Sequence, residues 1–308
     1  MYDAEAIVIG GGHNGLICAA YLAKAGVTTI LVEARDSVGG CASTVADMGA
    51  RFNICACDHS LIRAMPLIDE LNLSSHGLDY LEPEATYVNA FHENSGSWVF
   101  YHDSNQTMDG LSITHPSEVA NYKRYLEDAI PVAKLVIEIA QSGASMTEFL
   151  QVASRKRMKG VSKLLRWSKA SAVDVFKDYF DDWHLYMPGI STGPTVWGAP
   201  PEAPGTGLAA TVYATRHLIA SGRPRRGSGS LPDAILKSYL SNGGQVRLKS
   251  IVEKLQVENK RVKAVQLQDG SVIEAPTVIA ACDPHTVLVL TLIHISEPTR
   301  RTPISYAD

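Results

Sequence analysis

Gly10, Gly12 and Gly15 stand at G-x-G-x-x-G spacing in the run Gly10-Gly11-Gly12-His13-Asn14-Gly15, and an acid, Glu33, follows 18 residues after the last of them. These residue types suit the holding of a dinucleotide diphosphate. Gly10 allows a tight turn, Gly12 lets a pyrophosphate approach the backbone, and Gly15 lets a helix pack closely on a strand. Amides at a helix N-terminus favour the charge of the phosphates. Glu33 stands where a carboxylate accepts hydrogen bonds from ribose hydroxyls, and its charge would repel a 2′-phosphate, which disfavours NADP. His13 and Asn14 fill the variable places of the turn. For His13 a structural role or a minor phosphate contact is favoured over a catalytic one.

A glycine spacing alone is weak evidence, so the elements around it must position these groups. Ala6-Ile7-Val8-Ile9 reads as a short strand. Leu16, Ala19, Ala20, Leu22 and Ala23 recur at helical spacing up to Gly26, which reads as a helix C-cap. Residues 28–32 form a second β-branched run that stops at Glu33. The order is strand, glycine turn, helix, strand, acid.

Beyond the acid the chain continues Glu33-Ala34-Arg35-Asp36-Ser37-Val38-Gly39-Gly40, an E-x-R-x3-G-G pattern. This resembles the FAD-binding start of the glutathione-reductase-like flavoproteins. The variant Gly-His-Asn-Gly-Leu resembles the phytoene-dehydrogenase-related oxidoreductases, a group that includes the pyridine nucleotide-disulfide oxidoreductase domain-containing protein 2 type. Further on, residues 222–232 form a Gly-rich turn before a helix that ends near Gly243-Gly244. Val246-Arg247 and a run of strands follow, with turns at Glu258-Asn259-Lys260 and Asp269-Gly270 and a last strand at 277–281. This block resembles the second half of the same fold.

The resemblance implies an α/β protein: a Rossmann-like, glutathione-reductase-like FAD-binding domain with an inserted α+β substrate or cap domain. Residues 1–75 and 221–285 form the two parts of the FAD-binding domain, and residues 76–220 the insertion. FAD is the implied cofactor, with NAD the weaker option. The implied cofactor-binding positions are Gly10, Gly12, His13, Asn14, Gly15, Glu33, Ala34, Arg35, Gly39, Gly40, Cys41 and Val252, the last through backbone contact with adenine. The implied reaction removes a hydride from an apolar or amphiphilic small molecule, such as a polyene or another lipid. An amine-oxidase-like reaction and a non-catalytic FAD-binding scaffold stay open beside it. No general base is identifiable, so catalytic residues are left unassigned. No Cys-x4-Cys pair is present where a disulfide reductase carries one, and Cys41 alone cannot supply it.

The middle of the chain gives coarser expectations. Residues 43–71 read as a loop followed by a helix, with the role of Arg51-Phe52-Asn53 open. Residues 80–100 read as strands joined by a turn at Asn94-Ser95-Gly96. Residues 117–139 read as a helix with Ser117 as N-cap, and the Pro- and Gly-rich stretch from Pro188 to 201 as irregular loop. Trp183, Tyr186 and Trp197 are placed in that region as cavity lining or ordinary packing, with packing favoured. Residues 154–169 carry seven Lys or Arg and no acid, with Met158, Val161, Leu165 and Trp167 roughly on one side. A solvated basic face and a helix touching an anionic membrane surface are the two readings.

The 308 residues include 45% hydrophobic and 19% charged residues with a net charge of −4, which excludes disorder as the main state and gives a nucleic-acid partner no electrostatic support. Five cysteines suit free thiols in a reducing compartment. Cys55-x-Cys57 beside His59 lacks a second ligand pair, so no metal is expected there. The N-terminus does not read as a secretory signal, and no run of 18 uncharged apolar residues occurs. The expectation is a cytoplasmic protein, peripheral to a membrane if the basic segment meets lipid. The family's last flavin-contacting segment does not follow Asp283-Pro284, and residues 291–308 resemble a translated sequencing-adapter read-through. Residues 286–308 are therefore expected to be non-native or disordered. The chain is expected to be an inactive fragment of a longer, active enzyme.

Overall fold

The computed structural model describes residues 2–92, 96–142, 159–259 and 261–287, together with positions 147, 150, 151 and 154. The tail from 288 onward, Asn94, Ser95, Met158 and Lys260 lie outside the described residues. Contacts divide the chain into two compact units. One comprises the described residues of Met1–Cys57, Leu67–Tyr80 and Arg223–Asp308, the other those of Asp58–Pro66 and Leu81–Gly222.

The first unit is built on a four-stranded parallel sheet in the order Thr277–Ala280, Ala6–Ile9, Thr29–Val32, Gln245–Arg247. Every residue of Ala6–Ile9 and Thr29–Val32 is buried, as expected of parallel strands covered on both faces. On one face Ile7, Ile9, Ile30 and Val32 meet Leu255, Val265, Leu267 and Ile273. Those residues come from an antiparallel meander of Val252–Glu258, Arg261–Leu267 and Val272–Glu274. Alternate residues Val8 and Leu31 are fully buried on the opposite face.

Helix His13–Lys24 buries Leu16, Ala19, Ala20 and Ala23, the i, i+3, i+4, i+7 stripe that the sequence shows. It packs against helix Ser230–Ser241. Tyr239, fully buried on that helix, brings its hydroxyl within 2.8–3.1 Å of Thr29 and Gln245 groups, tying the helix to two neighbouring strands.

The second unit is mostly helical, with one hairpin of Ala85–Asn89 and Trp98–Tyr101. Its core is aromatic: Trp98, Phe100, Tyr122, Tyr125, Trp167, Phe176, Phe180 and Tyr213 are all buried. The buried tyrosines keep their hydroxyls paired. Tyr125 donates to the Ala210 carbonyl, Tyr213 donates to the Leu185 carbonyl, and Tyr122 lies 2.8 Å from His217 Nε2.

Four expectations need correction. Residues 43–71 contain a hairpin, Thr44–Asp47 with Ala50–Asn53, before two four-residue helices. Ser117 does not cap a helix; it lies inside a 3-10 turn, Pro116–Glu118, that leads into helix Val119–Gln141. In the basic segment Leu164, not Leu165, joins Val161 and Trp167 in the core, while Leu165 is exposed.

The fourth correction concerns Pro188, which does not open an irregular loop. It sits within helix Trp183–Thr192, and irregular chain begins only after it. Proline removes the N–H that would bond the carbonyl four residues back. That carbonyl, on His184, instead accepts the indole N–H of Trp98 at 2.8 Å, so the helix continues without an orphaned group.

No helix among the described residues is long and apolar enough to cross a membrane.

Candidate functional site

The glycine turn lies between strand Ala6–Ile9 and helix His13–Lys24. Gly10 adopts φ +102°, a region that strains other L-residues. A Cβ on Gly15 would fall 1.9 Å from the Gly10 carbonyl oxygen, so only glycine lets the helix start this close to the strand end. The chain returns at Gly39 and Gly40. Gly39 donates its amide to the Gly11 carbonyl at 2.8 Å, and Gly12 pairs with Gly39 as a parallel bridge. A Cβ on Gly40 would stand 3.1 Å from the Gly12 Cα. Two backbone segments without side chains thus meet beside a helix N-terminus.

That N-terminus is free to receive an anion. No side chain caps it, and its first turn holds no acid. A Cβ on Gly12 would meet nothing nearer than the Gly40 Cα at 4.0 Å, which leaves open approach to the backbone at this position. Glu33 completes the arrangement. Its Oε2 accepts the Gly11 amide at 2.6 Å and its Oε1 accepts the Arg35 amide at 2.9 Å. Each carboxylate oxygen retains a further lone pair for a ribose hydroxyl. These residues fit an adenosine diphosphate group.

The remaining sequence-derived positions are placed as follows. His13 and Asn14 begin the helix, half-buried and exposed. Ala34 and Arg35 are exposed, and the Arg35 carbonyl accepts the Lys249 amide at 2.7 Å. The Glu33 carbonyl accepts the Ser250 amide at 2.9 Å, so the chain leading into Val252 runs alongside the acid. Val252 opens the meander, half-buried against its core. Cys41 is an exposed free thiol just past the glycine pair. The structure therefore groups Gly10, Gly12, Gly15, Glu33, Gly39 and Gly40 at one turn, with His13, Asn14, Ala34, Arg35, Cys41 and Val252 on the segments that leave it.

Sequence reasoning missed the groups that hold the second Gly-rich turn. Asn53 Oδ1 accepts the Ser228 amide at 2.9 Å, and Thr44 Oγ1 accepts the Gly229 amide at 2.9 Å. Ser228 Oγ donates to the Ala56 carbonyl at 2.6 Å. The open Arg51-Phe52-Asn53 motif thus has a defined place: Asn53 anchors the start of helix Ser230–Ser241. Arg225 pairs with Asp79 and Arg226 donates to the Gly77 carbonyl, both at 2.7 Å, so both side chains serve the local fold.

Comparison with known proteins adds an independent line. The family model of flavin-containing amine oxidoreductases matches residues 15–305. The chain is 26% identical over 324 residues to pyridine nucleotide-disulfide oxidoreductase domain-containing protein 2 of Rattus norvegicus, covering 94% of this chain and 55% of that protein. It is 28% identical over 270 residues to phytoene desaturase (lycopene-forming) of Pantoea ananas, covering 85% and 52%. The chain spans about half the length of the curated relatives it matches. A crystal structure of an oxidoreductase from Methanosarcina mazei superposes with a TM-score of 0.63 at 17% identity, covering 95% of this chain and 62% of that one, a likeness of fold.

Proposed function

The chain belongs to the flavin-containing amine oxidoreductase family, and from that premise we propose that it is part of an FAD-dependent oxidoreductase that removes a hydride from an apolar or amphiphilic small molecule. The observation that carries the reading is the closure of Glu33 onto Gly11 beside an uncapped helix N-terminus. FAD is the cofactor that the family and this turn agree on. When bound, it supplies the hydride acceptor.

The chain's own residues bind and orient. The turn from Gly10 to Gly15 offers its amides to the diphosphate, and Glu33 takes the ribose hydroxyls. Gly39 and Gly40 keep the returning backbone free of side chains. The backbone at Val252 would meet the adenine, with Ala34, Arg35 and Cys41 on the segments beside it. His13 and Asn14, which begin the helix, would lie toward the diphosphate. No residue is assigned to proton transfer.

The substrate class rests on the phytoene desaturase relative, whose substrate is a polyene. A groove of about 430 Å³ in the second unit suits an amphiphile, because Ile137, Leu218 and Ile219 line it together with Arg63, Lys134 and Glu138. Amine oxidation is the second reading, favoured by the family description itself. Contact with an anionic membrane through 154–169 has limited support: Leu165, Lys159 and Lys169 are exposed, but Lys163 and Arg166 already pair with Asp128 and Asp178.

Two measurements test the proposal. Denatured protein should release FAD, identified by its absorbance and its separation from NAD. Under anaerobic conditions the flavin bound by the longer parent enzyme should bleach with a polyene such as phytoene. Bleaching by a primary amine alone would move the reading to amine oxidation. Bound FAD that no donor bleaches would leave a cofactor-binding scaffold.

A further inference from the structure

The second unit holds a cluster that the flavin reading does not use. His115, Asp182 and His184 place one ligand-type atom each within 4.8 Å of one another. His115 closes helix Ser104–Thr114, Asp182 is the N-cap of helix Trp183–Thr192, and His184 lies in that helix's first turn. Asp182 Oδ1 accepts the His184 amide at 3.0 Å and stands 2.6 Å from His184 Nδ1. His115 Nε2 lies 3.9 Å from Asp182 Oδ2. That is too long for a hydrogen bond. It is close to the separation of two atoms that share an ion at about 2.0–2.2 Å from each.

The burial of His115 sharpens the point. The His115 side chain is 4% exposed, and its Nε2 has no hydrogen-bond partner among the described residues. Buried nitrogens of this kind are normally paired. His115 Nδ1 lies 2.9 Å from Thr114 Oγ1, and the tautomer that donates there leaves a lone pair on Nε2.

The surroundings supply a carboxyl group and aromatic rings. Buried Glu118 accepts from the Asp182 amide at 3.1 Å and from Asn121 at 3.1 Å, both neutral donors. Trp183 stacks on His184 with ring centroids 3.9 Å apart, and Phe91 meets it edge-on at 4.7 Å.

We propose that His115, Asp182 and His184 form a site for a divalent transition-metal ion, zinc in the first place, that staples the two helix ends together. Two imidazoles and one carboxylate suit borderline-soft ions rather than calcium or magnesium, which prefer all-oxygen sites. Ligands of one tetrahedral ion stand roughly 3.3–3.5 Å apart, so His115 Nε2 draws in while the ion takes the place of the direct contact between Asp182 and His184 Nδ1.

The test uses the untagged chain, stripped with a chelator and titrated with Co2+ as a spectroscopic stand-in, then with Zn2+ in competition. One equivalent of Co2+ should give the visible bands of tetrahedral nitrogen and oxygen ligation, without thiolate charge-transfer bands, and Zn2+ should displace it and raise Tm. His184→Phe keeps a ring against Trp183, and Asp182→Asn keeps an N-cap acceptor. Each should weaken Co2+ affinity about tenfold or more, while far-ultraviolet circular dichroism of the metal-free protein stays unchanged. If His184→Phe does not fold, Asp182→Asn decides alone. Failure of stoichiometric binding, thiolate bands that place the ion on cysteine, or unchanged affinity in the variants would overturn the proposal. The readout is metal, not flavin, so its outcome is separate from that of the cofactor.

Discussion

Glu33 Oε2 stands 2.6 Å from the Gly11 amide it accepts, so the acid that follows the second strand closes onto the turn that follows the first. Two residues 22 positions apart in the chain become one rim, directly before the N-cap of the helix. In the proposed reading this rim takes the ribose and the helix N-terminus takes the diphosphate.

Replacing Glu33 by Gln removes the charge while keeping an oxygen acceptor. Charge-assisted hydrogen bonds contribute about 1.5–3 kcal/mol, so FAD affinity should fall roughly tenfold to a hundredfold. Fluorescence quenching of FAD on titration with protein measures it. An unchanged affinity would mean that the carboxylate does not hold the ribose.

Gly12 and Gly15 separate cofactor binding from stability. Gly15→Ala sets a Cβ 1.9 Å from the Gly10 carbonyl and 3.1 Å from the Ala281 Cβ. It should lower stability by about 1–3 kcal/mol or more, read as a lower urea midpoint at an unchanged slope. Gly12 has φ −67°, which alanine adopts, and a Cβ there meets only Gly40, at 4.0 Å. Gly12→Ala should therefore keep the urea midpoint and lose FAD. Equal losses of stability in both variants would refute the assignment of Gly12 to phosphate approach.

His217 should make the second unit sensitive to acid. Its Nδ1 meets the His102 carbonyl at 2.8 Å, its Nε2 meets the Tyr122 hydroxyl at 2.8 Å, and its ring stacks on Phe100. Burial pushes its pKa down to about 4. The unfolded chain, near 6.5, then binds a proton that the folded chain refuses. The stability is fully present above the unfolded value and is lost as pH falls from there toward the folded value. The loss should approach roughly 2–3 kcal/mol. Urea unfolding at neutral pH and near pH 4.5 should show a smaller acid loss for His217→Gln than for the parent. Parallel losses would place the acid sensitivity elsewhere.

Local patterns were the legible ones. The strand, turn, helix and strand around Gly10 announce themselves within a few residues of one another, and so do the meander and its turns. The Thr44–Asn53 hairpin was not legible, because Val45 and Phe52 are largely exposed and the turn places a non-glycine, Met48, at φ +48°. Helix Trp183–Thr192 was hidden by Pro188, whose local veto is answered by a distant indole. The anchoring of Gly229 by Thr44 joins residues 185 positions apart, and His115 meets Asp182 across a similar lack of local pattern. Such pairings follow from topology, which periodicity does not encode.

The bond from Trp98 to the His184 carbonyl also bears on the order of folding. Helix Trp183–Thr192 is one backbone partner short on its own, and that partner arrives only when a strand 86 residues upstream docks. The two elements therefore mature together. A contact of such long range is slow to form, so a nascent chain whose hairpin is damaged should leave this helix unfinished and its aromatic neighbours exposed to chaperones and proteases.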